Sequence, residues 1–442
     1  MKKKYLLIFL SLVMVFGLGA CSNNNDKEEI SIKSVTDLIT RLDNYKKTKE
    51  EEKRLAEEKE ETKGGKKEKE QIEKDEIENR AREEIVEKKK PEIKKVKLKA
   101  FGDIMAHMVQ TQYAQNKGGG DYDFSDQFTY VKDFVKDSDI SIGNYETTTN
   151  PNLPPAGFPR FNAPPSYLKT LKDIGFDIVS TANNHSMDTG LEGVMTTMDA
   201  VKEAGLDYVG SFKNKSERIL FKEVKGIKFA FLAYTYGCNG RENLIVPREE
   251  VENLCYLTDE DQIKKDISMA KAQGADFVVV YPHWGIEYQS MPNKAQISLG
   301  RKMVDWGADL VIGNHPHVVE PVEVYQAADG RKGLIAYALG NFISFQNYEN
   351  NKDIRVEQSL ALEIDLEKDL TSGKKKIADV TLHPIWVGTY HNQYGILVKN
   401  HLTKDFIEGG KFYDQVNENQ RARIKKAHDM TLKTANTGVQ WW

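Results

Sequence analysis

The chain has 442 residues, 39% of them hydrophobic, and its 63 Lys and Arg nearly balance 67 Asp and Glu, for a formal net charge of −4. That balance gives no support to nucleic acid as a partner. The sparing use of cysteine, three in the whole chain, agrees with an exported protein.

The first residues are Met-Lys-Lys-Lys, followed by an apolar run from Tyr5 to Ala20. A charged start before a short apolar stretch is the pattern of a secretory signal, and the run is too short to span a bilayer comfortably. It ends in Leu18-Gly19-Ala20-Cys21, followed by polar Ser22-Asn23-Asn24-Asn25, which resembles the lipobox at which bacterial lipoproteins are acylated and cut. The expectation is a signal peptide over 1–20, a lipidated Cys21 as first mature residue, and an extracytoplasmic protein anchored to the cell membrane. Each buried methylene contributes about 0.8 kcal/mol, so two or more acyl chains anchor stably where one does not.

From Tyr45 to Lys95 the chain is dominated by Lys and Glu and has too few apolar residues for a core. Glu50 with Arg54, Glu70 with Lys74 and Glu84 with Lys88 are spaced for transient helix on either side of Gly64-Gly65. Residues 21–95 are therefore expected to be a charged helical or disordered stalk. Order is expected from Val96, where Val96-Lys97-Leu98-Lys99-Ala100-Phe101 alternates like a strand. Apolar strands follow at 140–142, 178–182, 228–234, 277–281, 310–312 and 334–339, with strand-rich stretches at 359–365 and 377–382. Helical patterns lie between them at 128–135, 167–174, 194–204, 263–272 and 297–306, three of them closed by Gly205, Gly274 and Gly307. This alternation predicts a layered α/β domain. It is placed at 96–390, leaving 391–442 as an extension without a role. Cys238 and Cys255 are either one local disulfide or two separate buried thiols, since geometry decides and spacing does not.

Polar groups collect after strand ends. Gly102-Asp103 follows Phe101, Asn144-Tyr145-Glu146 follows Ile142, and Asn183-Asn184-His185-Ser186-Met187-Asp188 follows Ala182. His283-Trp284-Gly285-Ile286-Glu287 follows Tyr281, and Gly313-Asn314-His315-Pro316-His317 follows Ile312. Singly each has an ordinary reading: a Gly-Asp turn, a surface Asn-His, a packed core-edge histidine. Ligands of α/β sheets bind outside the carboxyl ends of the strands, so five such segments make one site the economical reading. Carboxylates, an amide oxygen and several imidazoles form the mixed oxygen and nitrogen set that suits Mn, Fe or Zn better than Ca or Mg.

In this order and spacing, Gly102-Asp103-Ile104-Met105, Asn144-Tyr145-Glu146, Asn183-Asn184-His185 through Asp188, His283-Trp284-Gly285-Ile286-Glu287-Tyr288, Gly313-Asn314-His315-Pro316-His317-Val318 and Leu339-Gly340-Asn341-Phe342 resemble the poly-gamma-glutamate capsule synthesis (CapA) family. The resemblance runs from Val96 to Val387. That family in turn resembles calcineurin-type metallophosphoesterases, which implies a four-layer αββα sandwich with a centre for two divalent metal ions. It implies Asp103, Glu146, Asn184, His283, His315 and His317 as metal ligands, with Glu146 as the bridge. It also implies His185 as general acid or oxyanion contact, and Glu287 and Asn341 as residues that orient imidazoles. Asp188 is left between that site and a cap on the following helix.

Two departures stand out. The phosphoesterase Asp-x-His motif is absent, because Met105 is the residue two after Asp103, and Glu146 stands where phosphoesterases place Asp. The resemblance implies a surface lipoprotein of polyglutamate capsule production or attachment, with capsule synthase components as partners. Two activities stay open: a metal-dependent hydrolase or transferase acting on an extracellular polymer or phosphate ester, and a non-catalytic binding or assembly component. Binding an acidic polymer such as poly-gamma-glutamate predicts a basic rim, for which Arg160, Arg241, Arg248 and Lys294 are the candidates, with ordinary surface charge as the alternative.

Overall fold

The computed structural model describes residues 47–51, 91–244, 253–257 and 259–439. The signal, the lipobox and almost all of the charged stalk lie outside the described residues. The chain divides into two units, 1–90 and 91–442. Within the first, residues 47–51 are helical and exposed. No helix among the described residues is long and apolar enough to cross a membrane.

The second unit is built on two sheets. In the first, β1 (Ile93–Ile104), β2 (Ile140–Tyr145), β3 (Ile178–Ser180) and β4 (Asp207–Val209) run parallel in that order. On the other side of β1, β12 (Gln358–Asp369), β13 (Lys375–Asn392) and β14 (Gly395–Leu402) add antiparallel, and short β11 (Asn341–Ile343) pairs parallel with the end of β1. The second sheet has the order β5 (Leu220–Val224), β6 (Ile227–Thr235), β7 (Phe277–His283), β8 (Leu310–Ile312), β10 (Lys332–Ala336) and β9 (Val322–Gln326). Its four central strands, β6, β7, β8 and β10, are parallel.

Alternation along the strands explains why the sheets stack. Phe229, Phe231 and Ala233 of β6 and Phe277, Val279 and Tyr281 of β7 point into a core shared with Val96, Leu98 and Ala100 of β1. The intervening Ala230, Leu232, Val278 and Val280 face outward against α4 (Glu260–Ala272) and α5 (Lys294–Trp306). On the far side, Phe101 and Val179 pack with residues of α1 (Met108–Lys117), α2 (Pro165–Asp173) and α3 (Gly190–Glu203). The result is a four-layer αββα sandwich. Below the strand ends the Tyr281 hydroxyl crosses between the sheets, accepting from the Phe101 N–H at 3.2 Å and lying 2.9 Å from the Phe101 carbonyl oxygen.

Two expectations change, and the open cysteine alternative is narrowed. The sheet begins at Ile93 rather than Val96, because the Glu92 N–H is held by Asp369 Oδ1 at 3.1 Å and β1 pairs with β12 from its first residue. Residues from 391 onward are not an appendage. β13 runs through the expected boundary, β14 pairs with it, and α6 (Glu418–Ala435) buries Ile424 and Ala427 with Trp386 and Phe406. Cys238 and Cys255 pack in different apolar clusters: Cys238 with Met187, Val194 and Met198, Cys255 with Phe212, Tyr234 and Ile263. Burial pushes the Cys255 thiol up to about 12, so it is held as a protonated packing group.

Candidate metal centre

The parallel strands of both sheets end at one place, and the chain's register sets the polar groups beside each other. Asp103 at the end of β1 lies opposite Asn144 on β2 and opposite Asn341 on β11. Its N–H donates to the Gly340 carbonyl at 3.0 Å, and a Cβ on Gly102 would overlap that same oxygen, so the position requires glycine. Asp103 Oδ1 accepts from Asn144 Nδ2 at 2.7 Å, and Oδ2 accepts from the His315 N–H at 3.2 Å. The carboxylate is thereby fixed before any ligand arrives.

The imidazoles come from the second sheet. His283 closes β7, with Nδ1 at 3.1 Å from Asn144 Nδ2 and Nε2 at 2.8 Å from Asn184 Oδ1. After β8, the turn Gly313-Asn314-His315-Pro316-His317 is held by the Asn314 N–H on the Pro282 carbonyl and the Tyr288 N–H on the Pro316 carbonyl. Within it His315 has φ 102° and His317 φ 60°, left-handed conformations that cost roughly 1–3 kcal/mol each and recur at ligand-clamping sites. His317 Nδ1 lies 2.8 Å from Asn341 Oδ1 and 3.5 Å from Asp103 Oδ2, which leaves Nε2 facing Glu146 at 3.9 Å.

Glu146 stands at the middle. It is fully buried, and neither carboxylate oxygen has a hydrogen-bond partner among the described residues. His283 Nε2 is 3.7 Å from its Oε1. Burial first, then the charges of Asp103 and Glu287, push its carboxyl well above the usual range. Around it the imidazoles are tuned the other way. Burial, then His315 and His317, hold His283 well below its ordinary value, and burial with His317 holds His315 down to about 3. Burial also acts downward on His317, but its hydrogen bond and charge interaction with Asp103 more than offset it and raise its pKa.

A buried carboxylate with two unpartnered oxygens, beside the His283 and His315 imidazoles that burial holds below their ordinary values, is short of positive charge. Two groups have ligand atoms mutually within 4.8 Å: Glu146 with His283 and His315, and Asp103 with Glu146 and His317. Glu146 is common to both, so the donor set fits two divalent cations bridged by that residue.

The other expected residues divide. Asn184 joins the His283 side, with its Nδ2 donating to Asn239 Oδ1 at 3.2 Å. His185 is buried, its Nδ1 at 2.7 Å from Asp188 Oδ2 and its ring edge-on to Phe161 at 4.7 Å. Asp188 does not cap α3. Thr189 is the N-cap residue, and Asp188 instead accepts the Phe161 N–H at 2.6 Å. Asn341 holds His317, whereas Glu287 is exposed and reaches the site through its charge rather than by a hydrogen bond to an imidazole. Of the four rim cations, Arg241 donates Nε to the Met187 carbonyl at 2.8 Å, Arg160 and Lys294 are exposed, and Arg248 lies outside the described residues.

Residues that sequence reasoning left without a role complete the site. Asn144 ties Asp103 to His283, and Asn183 Nδ2 donates to the Tyr145 carbonyl at 2.8 Å, setting the turn that carries Asn184 and His185. Tyr236 stacks on His283 at 6.2 Å and lies 4.8 Å from His315. Tyr236 and Asn239 follow the end of β6, the same kind of position that marked the other five segments.

Residues 97–346 match the family described as bacterial capsule synthesis protein PGA_cap. The chain is 34% identical over 286 residues to the capsule biosynthesis protein CapA of Bacillus anthracis, covering 61% of this chain and 65% of that protein. It is 32% identical over 344 residues to the PGA biosynthesis protein CapA of Bacillus subtilis (strain 168), covering 73% of this chain and 83% of that one. Among solved structures, the calcineurin-like phosphoesterase YfkN of Bacillus subtilis aligns over 77% of this chain and 98% of its own, with 16% identity and a TM-score of 0.40. On the match over 97–346 and the identity to the two Bacillus proteins, the chain belongs to the bacterial capsule synthesis protein family.

Proposed function

We propose that this protein works outside the cytoplasm, anchored through a lipid on Cys21, in the biosynthesis, export or attachment of poly-gamma-glutamate, and that its strand-end centre is a two-metal hydrolase or transferase site. The polymer assignment is supported by family membership and by the names of the two Bacillus relatives. The observation that carries the site is Glu146, buried with both oxygens unpartnered between two convergent ligand groups. Two cations of the Mn, Fe or Zn class bound there would supply an activated water and neutralise a developing oxyanion.

The chain's own residues do the rest. Asp103, Glu146, Asn184, His283, His315 and His317 would hold the ions. Asn144 and Asn341 fix the orientation of Asp103, His283 and His317, so little rearrangement accompanies binding. Asp188 holds the Nδ1 side of His185, which turns Nε2 toward proton exchange with the reacting oxygen. Phe161 and Tyr236 cover rings of the site and limit water.

The second reading is a binding or assembly component of the capsule synthase machinery. Met105 favours it, since the Asp103 group contains one imidazole where a phosphoesterase Asp-x-His motif would add another. Elemental analysis of the purified protein separates the two, comparing wild type with the double variant Glu146→Ala, His317→Ala. Near two metal equivalents in wild type and a clear loss in the variant support the hydrolase and justify a screen of phosphoesters and gamma-glutamyl substrates. A wild type that takes up no Mn, Fe or Zn leaves the assembly role. Mass spectrometry of Cys21 in the membrane fraction tests the anchor.

A further inference from the structure

The turn after β1 brings a histidine outside the expected ligand set into the neighbourhood of the centre. His107 is the N-cap residue of α1, with φ −68° and ψ 153°, and its N–H donates to Gln110 Oε1 at 3.0 Å. Its ring meets Phe161 edge-on, 5.0 Å between centroids, and lies 6.5 Å from Phe345. Phe161 meets His185 edge-on as well, at 4.7 Å, so one phenyl ring stands between two imidazoles.

The Nε2 of His107 is shielded from solvent and has no hydrogen-bond partner among the described residues. A core histidine ordinarily has both nitrogens satisfied, and a buried polar atom without a partner costs about 1–3 kcal/mol. Phe161 and Phe345 provide no such partner. Burial, then the charges of His317 and His185, hold the imidazole down to about 3, which puts His107 within electrostatic reach of both residues. It is not a member of either convergent ligand group among the described residues.

We propose, building on the metal-centre reading, that His107 Nε2 contacts the substrate, acting with His185 across Phe161 to grip an oxyanion brought to the centre. A phosphoryl group and a carboxylate share this recognition chemistry.

The test uses full-length protein labelled with 15N-histidine and loaded with zinc, titrated separately with orthophosphate and with glutarate. The His107 Nε2 resonance is expected to move with one of the anions, which also identifies the phosphoryl or the carboxylate source. His107→Ala is expected to weaken that anion about tenfold with zinc content unchanged, and His107→Gln, which keeps a donor, to lose about threefold or less. A His107 resonance that neither anion moves overturns the proposal, as does loss of zinc from His107→Ala, which would make the residue a ligand. Failure of wild type to take up zinc overturns the metal reading instead. The same titrations without zinc then decide His107, a shift supporting the contact and silence overturning it.

Discussion

His283 Nε2 lies 3.7 Å from Glu146 Oε1, too far for a hydrogen bond and close enough for both atoms to reach one cation. The same carboxylate faces His317 Nε2 at 3.9 Å. Replacing Glu146 with Met keeps similar bulk and removes the buried charge. Glu146→Met is expected to lose both metal equivalents, yet in chelator to unfold about 1–3 kcal/mol later than wild type at neutral pH. Urea titrations with and without EDTA check this, and a variant less stable than wild type in chelator would show that the carboxylate is structural.

Asp188 joins two jobs, holding His185 Nδ1 and accepting the Phe161 N–H. Asp188→Ala is expected to leave metal content intact while cutting turnover of any substrate the screen identifies by about 100-fold, the range of general acid–base contributions. Equal turnover in the variant would remove His185 from proton transfer.

Gly102 tests the packing beneath the centre. A methyl group there would overlap the Gly340 carbonyl oxygen, whereas one on Gly438 meets nothing within 4 Å. Gly102→Ala is expected to cost about 3 kcal/mol or more, with loss of metal, and Gly438→Ala to stay within about 0.5 kcal/mol of wild type. Thermal unfolding and metal content of the pair decide it.

Acid sensitivity has a source outside the centre. His401 is buried among Trp386, Tyr390 and Phe406, with Nε2 at 2.6 Å from the Tyr390 hydroxyl, and burial holds it down to about 3. Unfolded, it titrates near 6.5, so the unfolded chain binds more protons between those values and stability rises with pH. The contribution is full above about pH 6.5 and is lost progressively toward pH 3, roughly 2 kcal/mol by pH 5. His401→Phe is expected to be less stable at pH 7.5, where Tyr390 loses its partner, and to close about that much of the gap at pH 5. Urea midpoints at the two pH values measure it.

Much of this was legible in the sequence because alternation and strand-end position are local properties. The runs at 228–234 and 277–281 read as strands because every second side chain faces the same core, and Asp103, Glu146 and His283 could be grouped because each follows such a run. What was not legible depended on distant partners. The polar stretch after Tyr390 gave no pattern of its own, yet β14 forms because β13 offers it an edge, and α6 because Trp386 and Phe406 wait for its apolar face. Tyr236 and Asn239 also follow a strand end, that of β6, and were readable by the same rule. His107 falls outside the Asp-x-His spacing from Asp103, and only the turn into α1 brings its ring against Phe161. The spacing of Cys238 and Cys255 did not reveal that they pack in different clusters.

The Asp103 N–H on the Gly340 carbonyl joins two points of the chain separated by most of the domain, and the centre draws on segments between them in both sheets. Asp103, Glu146 and Asn184 come from strand ends of the first sheet and His283, His315 and His317 from those of the second, so no fragment confined to one sheet holds the whole centre. On the metal-centre reading, cations would therefore select only chains that have closed both sheets, and metal uptake would mark the end of folding rather than help to start it. On the same reading, a cut between β8 and β11 that frees His317 from Asn341 is expected to lower metal content, so metal content would report how much of a preparation is intact.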